Sequence, residues 1–171
     1  MKRLLFIIPL FLSVASFSQK PCSQPEYRQF DFWLGNWEAF ATNGKKVGDS
    51  KISLLLDSCT LLEEWTSATV QQGLRYSGKS FNMYNSATRK WQQFYVDNTG
   101  AIAEYVNGYF GNNKMILQTN NNKVSDTGWK ILKMTFYNLG PDKVRQHGES
   151  STDGGRTWTT DFDLEYRRKK E

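Results

Sequence analysis

Beyond residue 19 the chain repeats one pattern. Short runs of alternating apolar and polar side chains, rich in Trp, Tyr, Phe, Val and Thr, are separated by Gly and Asn. Alternation with a period of two places successive side chains on opposite faces, so such runs form β-strands with two distinct surfaces. The pattern predicts strands at 36–42, 47–57, 60–68, 74–85, 90–97, 101–110, 113–119, 128–138, 143–151 and 157–167. Only residues 25–34 carry apolar groups at the three-and-four spacing of a helix, and they predict a short helical turn. The punctuation has its own logic. Asn43-Gly44 suits a type I′ hairpin, Asn98-Thr99-Gly100 and Gly111-Asn112-Asn113 supply residues tolerant of positive φ, and Gly140-Pro141-Asp142 makes a turn.

About ten strands in hairpin order, with no helix to cover a sheet, predict an all-β domain. The expected form is an up-and-down antiparallel β-barrel that closes on itself, because closure removes exposed edges and runs near ten residues suit tilted barrel strands. A sandwich of two sheets is the competing arrangement. Residues 19–171 are expected to form this single domain, a length that supports one core.

The N-terminus follows a different rule. Lys2 and Arg3 precede an apolar run over residues 4–12, and a small-residue stretch follows, with Ser16 and Ser18 at the −3 and −1 positions of a cut before Gln19. This is the layout of a secretion signal over residues 1–18. The run is shorter than the roughly 20 residues that cross a hydrocarbon core, and no later stretch approaches that length, so no membrane span is predicted. Gln19-Lys20-Pro21 before Cys22 argues against a lipid-attachment site, where small or apolar residues belong. The expected location is therefore periplasmic or secreted. Export also changes the reading of Cys22 and Cys59, because an isolated pair in an oxidising compartment is ordinarily bridged; two separately buried thiols are the alternative.

Charge excludes more than it assigns. Removing Lys2 and Arg3 from the 22 basic residues, against 17 acidic ones, leaves a net charge of +3. That charge is small and dispersed, with one basic run at 167–170, and it argues against nucleic acid as a partner. His147 is the only histidine and no Cys-x-x-Cys spacing occurs, so neither a metal site nor a cofactor is predicted.

Two motifs have structural readings. In residues 30–37, Phe-Asp-Phe-Trp-Leu-Gly-Asn-Trp, Gly35 and Trp37 open the first strand. They resemble the Gly-x-Trp signature of lipocalins and wider calycins, in which the Trp closes one barrel end under a basic side chain from the last strand. Arg167 or Arg168 is available for that stacking. In residues 151–158, Ser-Thr-Asp-Gly-Gly-Arg-Thr-Trp, Asp153 can bond turn amides while Trp158 starts the returning strand. The segment resembles the Asp-box of sialidases and other propellers, but it occurs once in a chain too short for a propeller, which favours a well-built hairpin.

Several strands present polar and aromatic groups on one side. Glu63 and Trp65 share a face, as do Ser80, Asn82 and Tyr84, and Trp91, Gln93, Tyr95 and Asp97; Phe81, Met83, Phe94 and Val96 take the opposite side. If the first set points inward, the barrel holds a polar, aromatic-lined interior; if the second does, the core is ordinary and the first set is solvated. Large aromatics are costly to cluster in water, which favours the first arrangement.

These blocks together resemble a family of secreted bacterial proteins known as a domain of unknown function. Its pattern runs Cys, then Phe-Asp-Phe-Trp-x-Gly-x-Trp, Cys-x-x-x-Glu-x-Trp, Gly-x-Ser-x-Asn-x-Tyr, Trp-x-Gln-x-aromatic-x-Asp and Ser-x-Asp-Gly-Gly-x-Thr-Trp. The resemblance implies a calycin-like barrel and lends no activity. Distant calycins include lipid carriers, haem-binding nitrobindins and a few isomerases, and a haem reading here would rest on His147 alone.

Three functions remain open. The leading expectation is a carrier of a small apolar or amphipathic molecule, lined by Trp65, Tyr84, Trp91 and Tyr95 and oriented by Glu63, Asn82 and Gln93. An isomerase- or hydrolase-like enzyme using Glu63 or Asp97 as acid–base groups is the second. A filled barrel with a structural or interaction role is the third. Oligomeric state is left open. N-terminal sequencing of the exported protein is expected to start within a few residues of Gln19; recovery of an intact Met1 start would overturn the signal-peptide reading.

Overall fold

A computed structural model describes residues 20–120, 122–123 and 128–170; the expected signal peptide lies outside them. Two short 3-10 turns, Pro25–Arg28 and Asp31–Trp33, stand where the helical spacing was predicted. The strands follow as β1 (Gly35–Ala41), β2 (Lys46–Leu55), β3 (Thr60–Gln71), β4 (Leu74–Asn85), β5 (Lys90–Asp97) and β6 (Ile102–Gly111). After them come β7 (Lys114–Gln118), β8 (Asn122–Lys123), β9 (Trp129–Asn138), β10 (Lys143–Ser151) and β11 (Thr159–Arg168). Among the described residues no helix is long and apolar enough to cross a membrane.

Each strand pairs antiparallel with its neighbours in the chain, apart from the two-residue β8, which only adds to β9. The ring closes where β11 pairs with β1, with Trp37 opposite Arg168 and Ala39 opposite Tyr166. The result is a closed ten-strand up-and-down barrel, as the alternation predicted, and not a sandwich. Closure satisfies the edge hydrogen bonds that an open sheet would leave to solvent.

One turn differs from its expected form. Gly44 N–H donates to Ala41 O and Ala41 N–H to Lys45 O, and Gly44 alone has positive φ, +79°. The connection is thus a three-residue type I turn with a glycine bulge, because Asn43 keeps negative φ where type I′ would need it positive. Asn112 and Asn113, at φ +50° and +59°, make the two-residue mirror turn instead.

The lower end of the barrel is plugged with aromatic carbon. Phe30, Trp33 and Trp37 are fully buried, and Phe30 contacts Trp33, Trp91 and Phe136 with centroids 5.1, 5.7 and 5.0 Å apart. Trp37 Nε1 donates to Trp33 O at 2.8 Å, so the polar edge of the buried indole is satisfied. Arg168, and not Arg167, covers Trp37, with its guanidinium 4.3 Å from the ring. The register makes the choice: Arg168 sits beside Trp37 on the inner face, whereas Arg167 points outward over Phe40 at 4.2 Å. Gly35, at φ +123°, gives way to the Arg168 guanidinium, which a Cβ there would strike.

A disulfide joins Cys22 to Cys59 and ties the plug to the β2–β3 turn. By the chain-entropy argument, closing a loop of this length stabilises the fold by about 3–4 kcal/mol. The double variant Cys22→Ser, Cys59→Ser is expected to melt roughly 10 °C lower in a calorimetric scan. An unchanged melting temperature would show that the aromatic plug holds the N-terminal segment unaided.

Candidate functional site

The barrel interior changes character with height. Near the plug, Trp37, Ile52, Leu61, Trp91, Met115, Phe136 and Val144 make a hydrocarbon floor. One layer higher, alternation brings Ser50 from β2, Glu63 from β3, Ser80 and Asn82 from β4 and Gln93 from β5 to the inner wall, each buried. Higher still come Trp65 from β3, Tyr76 from β4 and Tyr95 from β5, all part-exposed.

The polar layer is a directed hydrogen-bond chain. Gln93 Nε2 donates to Asn82 Oδ1 at 2.8 Å, and Asn82 Nδ2 donates to Ser80 Oγ at 2.9 Å. Ser80 Oγ then donates to Glu63 Oε2 at 2.9 Å, while Ser50 Oγ donates to Oε1 at 3.0 Å. Donors therefore converge on one carboxyl group, which is 4% exposed. Among the described residues its polar partners are hydroxyls, and no lysine, arginine or histidine pairs with it. Burial dominates its titration and pushes its pKa up to about 7, although both serine bonds favour the charged form.

On the far side of the interior, Tyr166 O–H donates to Gln146 Oε1 at 2.6 Å, and Gln146 Nε2 reaches Met134 Sδ at 3.2 Å. Toward the mouth, Tyr76 O–H donates to Asp97 Oδ2 at 2.9 Å, so the bond between Tyr76 and Tyr95 takes its proton from Tyr95. Desolvation raises the pKa values of Tyr76, Tyr95 and Tyr166, which keeps these phenols neutral. Trp65 packs 6.1 Å from Tyr166 and lies over Gly48, as Tyr95 lies over Gly78. A Cβ at either glycine would collide with the ring, so the two glycines let these aromatics lie along the wall.

All seven predicted lining residues face inward, but they divide into two groups. Glu63, Trp65, Asn82, Gln93 and Tyr95 belong to the polar layer and the collar above it. Tyr84 and Trp91 belong to the plug: Tyr84 meets Tyr27 edge-on at 5.2 Å, and Trp91 Nε1 donates to Gln29 Oε1 at 3.0 Å.

Asp97 does not pair with Glu63. It caps the β5–β6 turn, where its Oδ1 accepts from Thr99 N–H, Thr99 O–H and Ala101 N–H, and these bonds outweigh desolvation to lower its pKa. His147 lies on the outer face, with Nε2 3.0 Å from Thr160 Oγ1, so the histidine on which the haem alternative rested is not in the interior. Asp153 holds its hairpin as expected, accepting from Arg156 N–H and Thr157 N–H at 2.9 Å each. Trp158 Nε1 donates to Gly155 O, and Lys133 sits 3.9 Å over its ring.

Ser50, Tyr76, Gln146 and Tyr166 are site residues that sequence reasoning missed. Ser50 and Tyr76 had a usable signal, since each continues the alternation of its strand toward Ile52 or Gly78. Gln146 and Tyr166 meet only through the β10–β11 pairing. A groove of about 460 Å³ lies elsewhere, on the outer wall beside Asp49, Lys51, Glu64 and Lys169. Its charges are engaged, Asp49 with Lys46 and Lys169, and Glu64 with Lys79. The chain matches no protein-family model and no curated protein.

The Glu63 carboxyl gives a signed pH prediction. Below its ordinary pKa of 4.5 it is neutral in both the folded and unfolded chain. Between pH 4.5 and about 7 the unfolded chain ionises while the fold retains the proton, so stability falls as pH rises, and the loss is complete above 7. Relative to Glu63→Gln, the wild type is expected to lose about 3 kcal/mol of unfolding free energy from pH 4.5 to pH 8 in urea titrations. Parallel pH profiles for the two proteins would refute a buried, proton-retaining Glu63.

Proposed function

We propose that this chain is an exported carrier that binds a small amphipathic molecule at the open end of its barrel, the molecule's polar group directed toward the Glu63 layer. One observation carries the reading. A buried, hydrogen-bonded polar layer stands directly beneath a collar of part-exposed aromatics, while the opposite end of the barrel is sealed by the plug. Ligand sites combine apolar walls with a few oriented polar groups, and the mouths of small barrels are a common place for them. The likeness to calycin barrels supports the same reading through Gly35, Trp37 and the arginine stacked on that Trp. The disulfide fits an oxidising compartment.

A catalytic use of the site is the second reading, favoured by the Glu63 pKa near 7, where a carboxyl can both take and give a proton. It makes a separate claim: Glu63→Gln would then abolish turnover while leaving binding intact.

The carrier reading is tested with the neutral amphiphile N-phenyl-1-naphthylamine, whose fluorescence rises in apolar surroundings. Saturable binding at one molecule per chain is expected, and Trp65→Ala is expected to weaken it roughly tenfold, about 1.4 kcal/mol. Phe81→Ala and Phe94→Ala, on the outer wall, are expected to leave it unchanged. Binding that follows the outer-wall residues, or none at all, would defeat the interior site.

A further inference from the structure

Glu63 is the unusual group in this interior. It is a carboxyl held by two serine hydroxyls, with no positive side chain beside it among the described residues, so its charged form is uncompensated. Buried carboxylates are ordinarily paired with cations, and removing the partner of such a pair is strongly destabilising. Each carboxyl oxygen accepts one serine bond and retains a second lone pair for another donor. Around it stand aromatic groups from four strands: Trp65 on β3, Tyr76 on β4, Tyr95 on β5 and Tyr166 on β11. Aromatic faces attract organic cations, most strongly where water is excluded.

Building on the carrier reading, we propose that the ligand is an organic cation, a small molecule whose protonated amine bonds to the Glu63 carboxylate between Trp65 and Tyr95. The amine would supply the positive charge that the fold withholds, and the serine bonds already hold the carboxylate in its acceptor orientation. Tyr76, Tyr95 and Tyr166 face the group as neutral phenols, and Asp97 stays ionised at the mouth, adding negative potential to the entrance. Glu63 is then the group facing the ligand that changes charge near neutrality. It must release its proton when the amine binds, so affinity falls as pH drops below about 7.

Calorimetric titration with 2-phenylethylamine, 2-phenylethanol and 3-phenylpropionate tests this, because the probes share a ring and differ in the charge of the head group. The amine is expected to bind at least about tenfold tighter than the alcohol, and to weaken several-fold from pH 8 to pH 6. Glu63→Gln should bring the amine to the level of the alcohol. Alcohol or propionate binding as tightly as the amine, or an amine affinity that Glu63→Gln does not change, would overturn the cation proposal while the carrier reading stands. If none of the three probes binds and native mass spectrometry of protein from its own cells shows no companion molecule, both fall together.

Discussion

A closed ring of strands must deal with its own bore, and the rest of this structure follows from how the bore is filled. Ten strands leave an interior too wide for small side chains to fill. Here a segment preceding β1 supplies Phe30 and Trp33, and the ring itself supplies Trp37, Trp91 and Phe136, to seal one end with mutually packed aromatics. Several neighbouring features serve that seal. The disulfide anchors the segment, Arg168 lies over Trp37, and Gly35 is shaped by the need to pass that guanidinium. With the floor sealed, the proposed ligand would reach the polar layer from the other end.

Above the floor the fold does something that stability alone would not select. A buried carboxyl, two serines and two amides are dearer to desolvate than the leucines that would fit the same wall. The layer is tolerated because its members satisfy one another in a single direction, from Gln93 through Asn82 and Ser80 to Glu63. A connected polar network of this kind fixes side chains more tightly than apolar packing does, since a change of rotamer at one member strands its neighbour. The arrangement is thus a fixed acceptor under a rim of rings, the feature on which the proposed ligand site rests. The Asp-box hairpin is a useful contrast: there too an aspartate collects donors, but every bond closes the turn itself.

The alternation along the chain determined a great deal. Because the strand period is a property of the backbone, each of the ten barrel strands and its two faces were legible locally, as was the short turn over residues 25–34, whereas the two-residue β8 was not. The grouping of Glu63 with Trp65, and of Asn82 with Tyr84, was legible for the same reason. So was the Asp153 hairpin, whose hydrogen-bond partners lie within seven residues of one another. The Asn43-Gly44 turn was less so, because two turn types share that dipeptide and the registers of β1 and β2 choose between them.

What the tertiary structure alone decided is which distant residues the closed ring brings together. An alternating strand is symmetric under exchange of its faces, so the local pattern separates Glu63 from Leu62, and only the cost of exposing clustered aromatics favours Glu63 inside; the plug and the ring settle it. The β1–β11 pairing joins residues from opposite ends of the domain, and it sets Arg168 rather than Arg167 beside Trp37 and brings Tyr166 toward Trp65. Likewise Asp97 and Glu63 share a face of the sheet, yet turn chemistry holds one at the rim while burial in the polar layer holds the other. Local periodicity follows from bonds between neighbours in the chain, whereas the site follows from contacts between residues far apart in it.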